Sequence, residues 1–326
     1  MTFNKTLKAT AAISAAVLIF TGCSLTEPDP EMISAKEQGI SQMTEGNYAG
    51  AIDSFNAALS HSGLFVTPDA VDTNYYKAAA MYLSGDNEGA LATYTHLIEY
   101  DKKNPDAYFL RGTLYLDMQD AESALSDYRT SIDLSPEDYE RYIEIYENLK
   151  AAGMPDQAMD FLNLALEQNG SSSDDYVGRG RIYILLNQYQ AAEKVLNNAV
   201  EEGSAVAKIY LAQVYDATGE SDKANELLEE YASSAEVSSE TLYVLGNIRM
   251  ESGDYAGALN AYDQALALPV ITNEKDIMKN RITALEYTAQ WEAAYSAATE
   301  LLEKYPNEQD VIREATFLRS RAEGPY

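Results

Sequence analysis

Residues 104–136 read NPDAYFLRGTLYLDMQDAESALSDYRTSIDLSP. Asn104 ahead of Pro105 puts a capping side chain before a proline at a first helical position. Tyr108, Gly112 and Tyr115 then recur at spacings of four and three, which is one face of an α-helix. Ala124, Tyr128 and Ser131 repeat that spacing in a second segment. Gln119 lies between the two, where the chain must reverse. Ser135 before Pro136 restarts the pattern, with Asp138 placed to complete a capping box. The stretch predicts two helices folded back on each other, and a third that starts at Pro136.

The same pattern runs outward in both directions. An alanine, an aromatic or leucine four residues on, and a small or apolar residue three beyond occur at Ala51/Phe55/Ala58, Ala90/Tyr94/Leu97, Ala124/Tyr128/Ser131 and Ala158/Leu162/Ala165. They recur at Ala192/Leu196/Ala199, Ala224/Leu228/Tyr231, Ala258/Tyr262/Ala265 and Ala294/Ala298/Leu301. The lead alanines stand 39, 34, 34, 34, 32, 34 and 36 residues apart. Twelve residues before each lies Gly39, Ala78, Gly112, Tyr146, Gly180, Ala212, Gly246 or Ile282; a small residue there lets the second helix come close. Five residues before each lies Gly46, Gly85, Gln119, Gly153, Asn187, Gly219, Gly253 or Ala289, where a helix ends and the chain turns. No segment alternates as a strand would.

This resembles the tetratricopeptide repeat (TPR), whose unit is 34 residues. In the third unit Tyr108, Gly112, Tyr115, Ala124, Tyr128 and Pro136 all fall on the family's positions. The resemblance implies an all-α fold, a right-handed α-solenoid of about eight TPR hairpins over residues 32–306. Val311, Ala315, Leu318 and Ala322 add a C-terminal capping helix within 307–326. Units four and eight carry Tyr146 and Ile282 at the small position, so their helix pairs are expected to splay. The first interval is longer by five residues and includes Leu64, Phe65 and Val66. Two readings of it stand: a longer helix pair or packed loop, and an apolar loop that touches a partner.

Composition narrows the function. The chain has 23 Lys+Arg against 52 Asp+Glu, a net charge of −29. Without residues 1–22, which hold Lys5, Lys8 and no acid, the charge is −31. That argues against nucleic acid and against a basic footprint on anionic lipid. One cysteine and two histidines give no disulfide, no zinc cluster and no histidine relay. No calcium loop or phosphate-cradling loop is present, so no cofactor and no metal is expected, and the chain reads as a non-enzyme.

The N-terminus reads as an address. Lys5 and Lys8 precede the uncharged apolar run from Ala9 to Phe20, which is too short to span a bilayer. Ile19-Phe20-Thr21-Gly22-Cys23 resembles a bacterial lipobox, with Phe20 where leucine is usual. Residues 1–22 are then a signal peptide, Cys23 the lipidated residue, and residues 23–31 a Pro-punctuated tether. The chain is expected on the extracytoplasmic face of a cell membrane, lipid-anchored.

In the TPR family the first helix of each unit lines a groove, through unit positions 2, 5, 9 and 12. The resemblance places Tyr75, Tyr82, Phe109, Thr113, Leu116, Arg181, Gln213, Tyr243, Asn247 and Met250 there, as a seat for a protein or peptide; the alternative is that packing buries the strip. Arg181 is the residue expected to hold a ligand carboxylate. Most of the 25 tyrosines, and Trp291, read as packing, and His61 and His96 as surface. The first function is a membrane-anchored scaffold for a protein or peptide. The second is a lipoprotein that captures a glycan or peptide for a transporter.

Overall fold

In a computed structural model the residues described are 29–61, 67–232, 237–306 and 308–322. The signal peptide, Cys23 and the segment Leu64, Phe65 and Val66 lie outside them. Every regular element among the described residues is a helix. Residues up to Gln168 form one compact unit and residues from Asn169 a second.

The first unit holds α1 (Pro30–Thr44), α2 (Tyr48–Ser60), α3 (Pro68–Ser84), α4 (Asn87–Tyr100), α5 (Pro105–Asp117), α6 (Ala121–Leu134), α7 (Tyr139–Ala151) and α8 (Pro155–Leu166). The second holds α9 (Ser173–Leu185), α10 (Tyr189–Glu201), α11 (Ala205–Ala217), α12 (Ser221–Ala232), α13 (Ser239–Ser252), α14 (Tyr255–Leu266), α15 (Glu274–Tyr287), α16 (Trp291–Lys304) and α17 (Gln309–Ala322). Odd and even helices pair as hairpins, and second helices pack on the first helix of the next hairpin, as α2 does on α3, α4 on α5, α10 on α11 and α14 on α15. Each unit is thus a stack of helical hairpins. α17 closes the second by packing on α16, with Val311 and Leu318 buried beside Leu301.

One packing rule repeats in every hairpin. The eight lead alanines are all 0% exposed, so no larger side chain fits at the crossing of the two helices. The small residue of the first helix faces the large residue of the second. A Cβ added at Gly112 would stand 2.9 Å from the Tyr128 ring and 3.2 Å from the Ala124 carbonyl. Gly39 against Phe55, Gly180 against Leu196 and Gly246 against Tyr262 repeat the contact. Unit eight trades bulk across the crossing: Ile282 in the first helix is opposite Ala298 in the second, and both are buried. In unit four Tyr146 and Leu162 are both large, and both are buried too. Unit eight absorbs its departure by exchanging large for small, and in both units these residues stay buried.

All eight turn residues have φ between +56° and +90°, including Gln119, Asn187 and Ala289, which carry the Cβ that disfavours that region. The repeat therefore fixes the backbone at this position even where the sequence does not supply glycine.

Three boundaries differ from the sequence reading. α1 begins at Pro30, capped by Asp29, so the last two residues read as tether are helical. α7 begins at Tyr139 and is capped by Asp138, whose carboxylate accepts from the Arg141 N–H. Ser135 instead opens a turn with Pro136 second, closed by Asp138 N–H donating to the Ser135 carbonyl at 3.1 Å. The turn uses the proline's fixed φ, and Asp138 is left to cap. α3, capped by Thr67, is longer at its start than its counterparts, which takes up part of the extra length in the first interval.

Candidate functional site

The residues assigned to a groove lie on the first helices of their hairpins, and each unit is described on its own. In the first unit, Tyr75 on α3 and Phe109 on α5 occupy the same repeat position. Both are half-buried, and each leans one face on a core tyrosine of its own hairpin. The ring of Tyr75 lies 6.4 Å from Tyr94, and that of Phe109 lies 5.7 Å from Tyr128. In the second unit Tyr243 leans on Tyr262 at 6.4 Å in the same way. Three of the eight units thus carry an aromatic ring at this position, each half-buried and braced against the core tyrosine of its own hairpin.

Thr113 and Asn247, expected to line the groove, tie neighbouring hairpins together. Tyr128 Oη donates to Thr113 Oγ1 at 3.1 Å, and Asn148 Nδ2 on the next first helix reaches it at 3.4 Å. Asn247 Oδ1 accepts from Tyr262 Oη and from Asn280 Nδ2, both at 2.8 Å. Tyr82 and Leu116, at 8% and 6% exposure, are core residues, and the expectation that they face a groove does not hold for them. Burial and the Asp117 carboxylate push the Tyr82 hydroxyl up to about 12. Arg181 lies over the Tyr210 ring at 5.4 Å, so its guanidinium already has a stacking partner. Gln213 and Met250 are half-buried. Trp291 packs as expected, beneath the Arg321 guanidinium at 5.1 Å.

The sequence reading missed a charged cluster around Phe109. Arg141 on α7 stacks on the Phe109 ring at 4.2 Å and pairs with Asp106 on α5 at 2.5 Å. Its Nε also lies 3.7 Å from Asp138 and 3.6 Å from Glu144. On the same unit Lys36 on α1 pairs with Asp72 at 2.5 Å and Asp69 at 3.5 Å on α3. Burial lowers the Lys36 ammonium, but the Asp72 and Asp69 carboxylates outweigh it and the pKa is raised. The signal was present in the sequence. Two residues into the repeat, six of eight units carry an acid: Asp72, Asp106, Glu140, Asp174, Glu240 and Asp276. Acids at helix starts are ordinary because they suit the helix dipole, so the row attracts no notice until two of its members are seen holding cations.

Glu144 is a strongly perturbed carboxyl of this face. Burial pushes its carboxyl up to about 7, with Arg141 pulling down and Glu140, Asp138 and Asp106 pushing up. The proton is held more tightly in the fold than in the unfolded chain, where 4.5 is usual. Stability is therefore lost as pH rises from about 4.5 to about 7, and the loss is complete above that. Glu144→Gln keeps the shape without the charge. It should raise the melting midpoint at pH 8 and leave it unchanged at pH 4. An equal shift at both values would contradict a charge-based cause.

Family profiles agree with the repeat geometry. A TPR repeat profile matches residues 78–119, a tetratricopeptide repeat profile residues 105–138, and a tetratricopeptide repeat-like domain residues 181–287. The chain carries tetratricopeptide repeats. Lipopolysaccharide assembly protein B of Escherichia coli K12 is 20% identical over 240 residues, which is 70% of this chain and 62% of the relative. The chain therefore spans less than two thirds of the length of that relative. Among solved structures, a tetratricopeptide repeat protein from Parabacteroides merdae has 18% identity and a TM-score of 0.44, over 79% of this chain and 100% of that one. Yeast Tom70 has 13% identity and a TM-score of 0.42, over 91% and 90% of the two chains.

Proposed function

We propose that this TPR chain is a non-catalytic scaffold that binds a protein or peptide partner on the first helices of its hairpins. It does so outside the cytoplasm, held to the membrane by a lipid on Cys23. The observation that carries the binding role is the aromatic ring repeated at one position of the first helices. Tyr75, Phe109 and Tyr243 are each half-buried and braced against the core tyrosine of their own hairpin. Rigid aromatic rings held half-exposed are the groups that anchor peptide interfaces, since little side-chain entropy is lost when they are covered. A relative named for lipopolysaccharide assembly supports a scaffold working at the cell envelope. The solitary cysteine behind a small residue supports the anchor.

Phe109→Ala and Arg181→Glu should each weaken capture of the native partner while the protein keeps its helical content; an aromatic anchor commonly contributes about 2 kcal/mol or more. Cys23→Ser should accumulate as an uncut precursor that has lost the lipid. A Cys23→Ser protein that is processed and partitions with lipid like the parent would remove the anchoring half of the proposal. Undiminished capture by both face variants would remove the other half.

A further inference from the structure

We propose that Asn169 is a self-modification site, converted through a cyclic imide with Gly170 into aspartate and isoaspartate. The site lies in the second unit, on the loop that leads into α9, and is independent of the binding reading above. Asn169 is the one asparagine of the chain that is followed by glycine. Glycine has no Cβ to crowd the main-chain nitrogen that must attack. Other asparagines outside the helices lack a free nucleophile. Asn104 precedes Pro105, which has no N–H, and Asn187 precedes Gln188, whose N–H is held by the Tyr183 carbonyl at 2.8 Å. The fold leaves the pair at 169 and 170 open. Asn169 is exposed and stands outside any helix. Among the described residues nothing hydrogen-bonds to its side chain, and the Gly170 N–H donates to no acceptor.

The two residues differ in what the fold asks of them. The glycine is set by packing: a Cβ at Gly170 would stand 2.2 Å from the Asp175 carboxyl carbon, and Asp175 is 8% exposed and closes the capping box of α9. Beyond Gly170 the chain is held, because Arg179 Nη1 donates to the Gly170 carbonyl at 2.7 Å. Nothing of that kind holds Asn169. Its φ is not in the left-handed region that favours asparagine, and the cap of α9 is Ser172. The reaction balances within the chain and water. The Gly170 nitrogen attacks the Asn169 Cγ; the N–Cγ bond forms and the Cγ–Nδ2 bond breaks. The side-chain nitrogen leaves as ammonia with the proton of the Gly170 N–H. Water then opens the imide. Opening at Cγ gives aspartate, and opening at the main-chain carbonyl gives isoaspartate, whose chain runs through the side chain. One water is consumed and one ammonia released, with no oxidation or reduction. Attack requires the deprotonated nitrogen, so the rate rises with pH. Either product adds a negative charge one residue ahead of the carbonyl that Arg179 holds, and isoaspartate lengthens the main chain there by one carbon.

The full chain in detergent is aged at pH 7 and at pH 9, natively and in urea, then digested in mild acid, where the reaction is slow. Peptide mass spectrometry should find NH2 exchanged for OH at Asn169 about tenfold faster than at any other asparagine, and faster at pH 9 than at pH 7. The native chain should convert at a rate within about tenfold of the chain in urea. L-isoaspartyl methyltransferase should methylate the aged native chain and leave aged Asn169→Gln, whose larger ring closes slowly, unlabelled. A native chain that stays intact while the chain in urea converts would show that the fold shields the site, and overturns the proposal. Equal conversion at another asparagine, or an Asn169→Gln chain labelled as strongly as the parent, places the reaction elsewhere and overturns it too.

Discussion

Arg111→Ala is expected to destabilise the first unit by about 3–5 kcal/mol, the cost of leaving a buried charge without its partner. Arg111 on α5 grips Asp127 on α6 with two parallel bonds, Nε to Oδ2 at 2.7 Å and Nη2 to Oδ1 at 2.8 Å. Asp127 is only 5% exposed, so water cannot replace the guanidinium. The hydrogen bonds that Arg111 donates to Asp127 raise its pKa against the effect of burial. The rings of Tyr108 and Tyr115 lie at 5.8 Å from the guanidinium carbon and add cation–π attraction. Removing both partners removes the orphan: Arg111→Met with Asp127→Leu should be far closer to the parent than Arg111→Ala alone. Urea unfolding of the three chains decides it. A double variant as unstable as the single one would show that the pair is worth its own energy, and that the orphaned carboxylate is not the cause.

Gly112→Leu should cost about 1–3 kcal/mol through overpacking, and more if the backbone cannot give. The first added atom meets the Tyr128 ring at 2.9 Å, and the Ala124 carbonyl at 3.2 Å lies on the same side, so a turn of the tyrosine alone does not make room. Tyr128 is itself fully buried and tied to Thr113, which anchors it further. Gly112→Leu paired with Tyr128→Ala recreates the arrangement that unit eight already uses, Ile282 opposite Ala298. That pair should recover part of the lost melting temperature. An unchanged melting temperature for Gly112→Leu alone would mean that the helices do not cross there.

Much of this architecture was legible because the repeat states it many times over. The turn position held at Gln119 and Ala289 as firmly as at Gly85, since eight copies in phase fix a backbone that one residue would not. Ser135 was misread as a helix cap because a proline follows it; a turn with proline second and a helix with proline first look the same over two residues, and only Asp138 beyond them separates the two. The face was legible as a set of helix positions and illegible as chemistry. Thr113 and Asn247 are placed on the groove by unit position alone, yet their partners Asn148 and Asn280 come from the next hairpin at 35 and 33 residues' distance and cannot be inferred from one unit. Arg141 and Glu144 were missed for the same reason. Nothing in the spacing of α7 announces that Asp106 and Phe109 of α5 stand over against Arg141.

The central claim is that the first-helix aromatic positions hold a protein partner. The measurement that tests it most directly is site-specific photo-crosslinking in the native cell, with a benzophenone amino acid in place of Tyr75 or Tyr243 in the full chain. Tyr100 is the control, at 58% exposure on a second helix. The account predicts one discrete adduct from Tyr75 and Tyr243, the same protein by mass spectrometry, and its absence from Tyr100. Adducts from Tyr100 alone, or the same diffuse set from all three positions, would contradict it.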